Sequence, residues 1–225
     1  MSRHIIKREV PERCRIPDNI PEIPKFRTVI CDPPWSRNQT GQLGGLRHYN
    51  LMDVEMIKRM PIQDLVDDNC VLWLWCTNGT MPDALSIIDA WGFTYRGVYV
   101  WCKPRLGLGS YYLRNSTELC LVATRGKVKF KDHSLINWGV YAPTKHSEKP
   151  RELFSMYEKA YDGPALELFC RRRPAHSEDF EVYCWGAETE GGSDIFLPPF
   201  GVKHYSFENK GNKPDDEPTN AEEVK

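Results

Sequence analysis

The chain has 225 residues, 40% of them hydrophobic and 12% aromatic, with a formal net charge of −1. That composition excludes a disordered chain and is long enough for one domain with a real core. The longest apolar run, Cys70 to Cys76, cannot cross a bilayer, and the opening residues lack the apolar core of a signal peptide, so a cytoplasmic protein with no membrane partner is expected.

Residues 1–25 carry Pro11, Pro17, Pro21 and Pro24 among alternating charges and read as an extended arm. Arg27 to Cys31 is a short β-branched strand. Asp53 to Met60 has helical spacing at Val54, Met56, Ile57 and Met60, and Pro61 ends it. Cys70 to Cys76 has the length of a strand buried on both faces. Thr80 is placed to cap a helix with Pro82 in its first turn, apolar positions at Leu85, Ile88 and Trp91, and Gly92 at its end. Tyr95 to Cys102 and Glu118 to Thr124 are strands on either side of a Gly-rich loop. Ser147 opens a helix to about Tyr161, and Ala165 to Cys170 and Glu181 to Trp185 close the series as strands. A domain over 26–200 followed by an acidic, disordered tail over 201–225 is expected.

Alternating strands and helices with doubly buried strands predict an α/β sandwich with a mostly parallel sheet. Ligands then bind at the carboxyl ends of strands, after Cys31, Cys76, Cys102 and Phe169. The eight cysteines form no CxxC pair and read as reduced core residues, and no histidine has metal-ligand spacing, so no metal is expected. From Gly211 to Lys225 five acids face two lysines, a net −3 that leaves +2 on the rest. Basic residues bunch within that remainder at Arg37, Arg47 and His48, at Lys103, Arg105 and Arg114, at Lys127, Lys129 and Lys131, and at Arg171-Arg172-Arg173. Clusters of this kind suit phosphate contact or a solvated face.

Asp32-Pro33-Pro34-Trp35 follows the first strand directly. Two prolines fix the backbone and remove two amide donors, which would leave the carbonyls of Asp32 and Pro33 as outward acceptors. With the Asp32 carboxylate they could receive both hydrogens of an amino group, and Trp35 would offer a flat face to a base. The alternative is a tight turn with Trp35 in the core.

The motif resembles that of the DPPW family of adenine-N6 methyltransferases, the family of the messenger-RNA adenosine methyltransferase catalytic subunit. The resemblance runs from about Thr28 to Gly186. It takes in Val71-Leu72-Trp73-Leu74-Trp75, Trp91-Gly92-Phe93, Val100-Trp101-Cys102-Lys103-Pro104, Arg114-Asn115-Ser116-Thr117-Glu118, Ser147-Glu148-Lys149-Pro150 and Leu166-Glu167-Leu168-Phe169. Small bacterial and phage members look most similar. The resemblance implies a Rossmann-like methyltransferase sandwich, circularly permuted because the catalytic loop precedes the Glu167 strand. It implies S-adenosyl-L-methionine as cofactor and adenine N6 in nucleic acid as substrate, with DNA favoured over RNA. It also allows a homodimer.

By the same resemblance Asp32, Pro33, Pro34 and Trp35 are catalytic. Lys149 would meet the methionine carboxylate and Glu167 the ribose hydroxyls, with Asp32, Arg171 and Glu188 completing the cofactor set. Tyr49, Trp101, Lys103, Arg105, Asn115 and Glu118 would face the substrate. Glu148 and Ala187 depart from the family pattern, which implies a weaker pull on the cofactor carboxylate at Glu148 and the loss of one hydrogen bond, on the order of 1 kcal/mol, at Ala187. An RNA adenosine methyltransferase, a non-catalytic methyltransferase-like subunit and a small-amine N-methyltransferase stay open at this point.

Overall fold

A computed structural model describes residues 23–35, 52–105, 112–143, 148–187, 189–195 and 197. The N-terminal arm before residue 23, the acidic tail, Tyr49 and Glu188 lie outside the described residues. The elements in chain order are β1 (Phe26–Cys31), α1 (Val54–Lys58), α2 (Ile62–Leu65), β2 (Val66–Cys76), α3 (Met81–Ala90), β3 (Thr94–Cys102), β4 (Thr117–Arg125), β5 (Trp138–Val140), α4 (Glu152–Ala160), β6 (Ala165–Leu168) and β7 (Val182–Trp185).

Among the described residues seven strands form one sheet in the order β5-β3-β4-β2-β1-β6-β7. The β1–β2, β1–β6, β6–β7 and β3–β5 pairs are parallel, and β4 runs against both of its neighbours. β1 sits between β2 and β6, so a strand from late in the chain lies beside the first one, as the permuted order requires. The chain leaves β1 for β2 on one side and reaches β6 on the other. A crevice therefore opens at the carboxyl ends of β1 and β6, the switch point where open α/β sheets bind ligands.

Both faces are covered, which explains the unbroken apolar run of β2. Val29, Cys31, Leu72, Leu74, Leu121 and Leu166 pack under Ile57, Ile62, Ile87, Ile88 and Trp91 from α1–α3. Ile30, Trp73, Trp75, Trp101 and Cys120 pack under Leu153, Tyr157 and Ala160 of α4. Ile30, Asp32, Trp75 and Glu167 line the α4 side of the sheet, and that is where the cleft opens.

Local chemistry sets the helix ends. Asp53 caps α1 by accepting from the Glu55 amide at 2.9 Å. α3 ends with Gly92 at φ +75°, which lets the Phe93 amide reach back to the Ile88 carbonyl at 3.0 Å. Thr80 does not cap α3 with its side chain. Its hydroxyl instead accepts from the Thr77 amide at 2.9 Å and braces the β2–α3 turn. The chain beyond Pro61 turns helical again as α2, and β2 starts at Val66, earlier than the apolar run suggests.

Candidate active site

Asp32 follows β1 and Lys149 precedes α4, and their side chains meet across the head of the cleft with Lys149 Nζ donating to Asp32 Oδ2 at 2.6 Å. The same ammonium lies 3.2 Å from Glu118 Oε2 at the start of β4. Glu118 Oε1 is ion-paired with Lys103 at the end of β3. Four charges thus alternate in sign on a floor of two tryptophans. Lys149 Nζ is 5.3 Å from the Trp75 ring and Lys103 Nζ is 4.5 Å from the Trp101 ring, both within cation–π range.

The Asp32-Pro33-Pro34-Trp35 loop is latched at several points. The Trp35 amide donates to the Pro33 carbonyl at 2.9 Å, and the Met52 amide donates to the Pro34 carbonyl at 2.9 Å. Trp35 Nε1 donates to the Trp75 carbonyl at 3.1 Å. Two expectations are corrected. The Pro33 carbonyl already accepts one hydrogen bond inside the turn, so it is not a fully free acceptor. Trp35 is 4% exposed and packed in the core on the α1–α3 face, so its ring anchors the loop and presents no open face to a base.

Trp101 is corrected in the same way. It is 1% exposed, donates from Nε1 to the Tyr141 carbonyl at 2.9 Å and packs edge-on against Trp75 at 6.3 Å. It supports Lys103 from below and does not wall the substrate pocket. Lys103 and Glu118 are turned toward each other. Asn115 and Arg105 are exposed beyond the strand ends, and Asn115 Oδ1 accepts from Asn78 at 3.4 Å.

The cleft holds about 520 Å³ and is lined by Asp32, Lys149, Glu167, Phe169, Arg171 and Tyr157 together with Glu148 and Arg172–Ala175. It brings together every described residue expected to hold a cofactor. Phe169 adopts φ +63° where β6 ends, a conformation that costs a non-glycine residue energy and recurs at functional sites. Arg173 is committed elsewhere, with both Asp194 oxygens at 2.7 Å. Glu148, flagged by its departure from the family, turns toward Arg151 at 3.3 Å and Arg172 at 3.7 Å.

Burial and neighbours set the charges. Burial raises the Asp32 carboxyl above its ordinary value, and Lys149 opposes that in part. Burial works against ionising Glu118, but Lys149 and Lys103 outweigh it and hold the carboxyl below the usual range. Lys149 pays a burial penalty that Asp32 and Glu118 more than offset, so its ammonium is held above the ordinary lysine value. Burial pushes Glu167 up to about 7, and the charge of Asp32 adds to the effect.

Glu167 Oε2 is buried without a hydrogen-bond partner. An orphaned carboxylate oxygen is expensive unless something donates to it. A pair of sugar hydroxyls would do so, and Lys149 in the same cleft suits a ligand carboxylate, so the donor set fits a nucleoside that carries an amino acid with its carboxylate free. Glu167, Cys170 and Cys184 also converge, with ligand atoms within 4.8 Å of one another. Sequence spacing hides that cluster because parallel pairing of β6 with β7 places Glu167 opposite Cys184. Sequence reasoning also missed Tyr157, whose hydroxyl accepts from Trp75 Nε1 at 3.2 Å. The helical period of α4 was its only signal.

The MT-A70 family matches residues 26–188, most of the chain and every residue lining the cleft. The chain belongs to the MT-A70 family of adenine-N6 methyltransferases. Among its relatives, the type II methyltransferase M.MunI of a Mycoplasma species is 26% identical over 183 residues, covering 67% of this chain and 75% of the relative. The human N(6)-adenosine-methyltransferase catalytic subunit METTL3 is 30% identical over 156 residues, or 65% of this chain and 26% of the relative. The human N(6)-adenine-specific methyltransferase METTL4 is 30% identical over 170 residues, or 65% of this chain and 34% of the relative. The chain thus spans three quarters of the Mycoplasma relative, at 75%, and 26% and 34% of the two human ones. No described helix is long and apolar enough to cross a membrane.

Proposed function

We propose that this MT-A70 protein transfers a methyl group from S-adenosyl-L-methionine to N6 of adenine in nucleic acid, with DNA as the polymer. One observation carries the reading: Asp32 and the unpartnered Oε2 of Glu167 line the same cleft, at the β1–β6 switch point. Glu167 would accept from the ribose hydroxyls, Lys149 would meet the methionine carboxylate with its remaining N–H, and Arg171 would lie over the adenosyl part. A match over three quarters of a bacterial type II methyltransferase favours DNA over RNA.

The cofactor supplies an electrophilic methyl on a sulfonium; orienting the acceptor falls to the chain. Adenine's amine is a weak nucleophile because its lone pair is delocalised into the ring. With Lys149 on Oδ2, Asp32 offers Oδ1 to an amine hydrogen and turns the nitrogen lone pair toward the incoming carbon. A methylated amine would carry positive charge on nitrogen, and the Asp32 carboxylate beside it would stabilise that charge. The surplus proton then leaves to the Asp32 carboxylate, whose raised affinity for protons suits that step. A duplex substrate would also have its target base flipped out of the stack.

The test is incubation of the purified protein with methyl-labelled cofactor and either plasmid DNA or total RNA, then nucleoside analysis. Label in N6-methyldeoxyadenosine is the expected result. Label only in N6-methyladenosine would move the substrate to RNA, which the resemblance to METTL3 would then explain. Label in neither would overturn the reading.

A further inference from the structure

Each oxygen of Glu118 faces a different lysine: Oε2 faces Lys149 and Oε1 faces Lys103. Lys149 is likewise divided between Glu118 at 3.2 Å and Asp32 at 2.6 Å. The cations cannot drift, because both sit on indole rings that are themselves pinned through Nε1 to the Tyr157 hydroxyl and the Tyr141 carbonyl. The side chains of Lys149, Glu118 and Lys103 are only 16%, 18% and 25% exposed. Water therefore screens them poorly, and a change at one end is felt at the other.

We propose that Glu118 and Lys103 are positioning residues for methyl transfer: they share Lys149 out between two carboxylates and so fix where the Asp32 carboxylate points and how far it is neutralised. The identity of the reaction rests on the function proposed above, whereas the coupling rests on this geometry alone. Glu118 competes with Asp32 for one ammonium. Without the Glu118 charge, Lys149 turns wholly to Asp32 and makes it a weaker acceptor. Without Lys103, Glu118 draws Lys149 toward itself and leaves Asp32 a stronger one. The other groups that act on Asp32 are unchanged in both variants. They are Arg171 and Glu167 at the β6 end, and Cys31, Cys76, Cys120 and Tyr157, which burial keeps neutral.

The experiment compares Glu118→Gln and Lys103→Met with wild type in two ways. One is the pH profile of single-turnover methylation; the other is the titration of the Asp32 carboxyl carbon by NMR in the cofactor-free protein. Glu118→Gln is expected to lower the rate about tenfold and to move both the acid limb and the carbon titration down by about one pH unit. Lys103→Met should move both up by a similar amount. Glu118→Asp, which keeps the charge, should restore the wild-type midpoint. A purely structural role for Glu118 and Lys103 predicts no displacement, or displacement in one direction, and either result overturns the proposal. Opposite carbon titrations in a protein that methylates no polymer would leave the coupling standing and overturn the functional reading instead.

Discussion

Glu167 offers the sharpest test because its two states are worth different amounts in the free and bound protein. Burial holds its carboxyl at about 7 against an ordinary 4.5, so the folded chain binds this proton more tightly than the unfolded one. The stabilisation is fully present below about pH 4.5, is lost as pH rises through about 7, and is flat above that. The gap of about 2.5 pH units corresponds to at most about 3 kcal/mol. Glutamine keeps the shape without the charge, so Glu167→Gln should match wild type near pH 4.5 and exceed it at pH 8. The excess should reach about 3 kcal/mol, or roughly 6–12 °C in Tm for a chain of this size. Hydroxyl donors favour the ionised form, so cofactor binding should release a proton near pH 6.5 in wild type and none in the variant. Urea melts across pH, and calorimetry in buffers of differing ionisation enthalpy, measure both effects. Parallel stability curves for the two proteins, or binding without proton release, would refute the placement of Glu167 as a desolvated ligand of the sugar.

Replacing Asp32 with Ala should lower turnover by about 10³-fold or more, while a thermal-shift titration still detects S-adenosyl-L-methionine; near wild-type turnover would remove Asp32 from the chemistry. Trp35→Ala should cost about 3–5 kcal/mol in a urea melt, because the ring fills the core and anchors the loop to the Trp75 carbonyl. A cost under about 1 kcal/mol would mean the ring is a substrate platform after all. Gly186→Ala places a Cβ 2.4 Å from the Cys170 carbonyl. It should destabilise by about 1–3 kcal/mol and weaken cofactor binding, since Cys170 directly precedes Arg171 in the cleft wall; unchanged melting would contradict the close approach.

The catalytic loop was legible because a strand end and two prolines leave few conformations, and β1, β2 and β6 were legible as apolar runs. Other features carried no such mark. β5 is three residues long, and Gly139 is its inward position, where any side chain would meet the Tyr99 hydroxyl. No apolar pattern survives in it. β2 extends back through Asp67, Asp68 and Asn69, which fall in the register irregularity between the Phe26–Val66 and Thr28–Val71 pairs, with Asp68 exposed and its two neighbours half-buried. Trp35 read as a platform from its motif, and the resemblance set Trp101 at the substrate, yet each satisfies its N–H on a carbonyl and sinks into the core. Burial of that kind depends on partners 40 residues away in sequence, and no local window holds them.

Strand direction was the feature least visible in the sequence, and it matters most to the site. In a parallel sheet every strand begins at the end remote from the ligand, so a residue at a strand start cannot reach a catalytic loop at a strand end. β4 runs the other way, and its pairing sets Leu119 against Cys76 and Glu118 against Trp101. Its first residues therefore arrive where β1, β2 and β3 finish. That reversal puts Glu118 among Lys103, Lys149 and Asp32, which come from the end of β3, the approach to α4 and the end of β1. An apolar run reads the same in either direction. The resemblance could place Glu118 near the substrate, but only the reversed strand shows it as the partner that divides Lys149 with the catalytic acid.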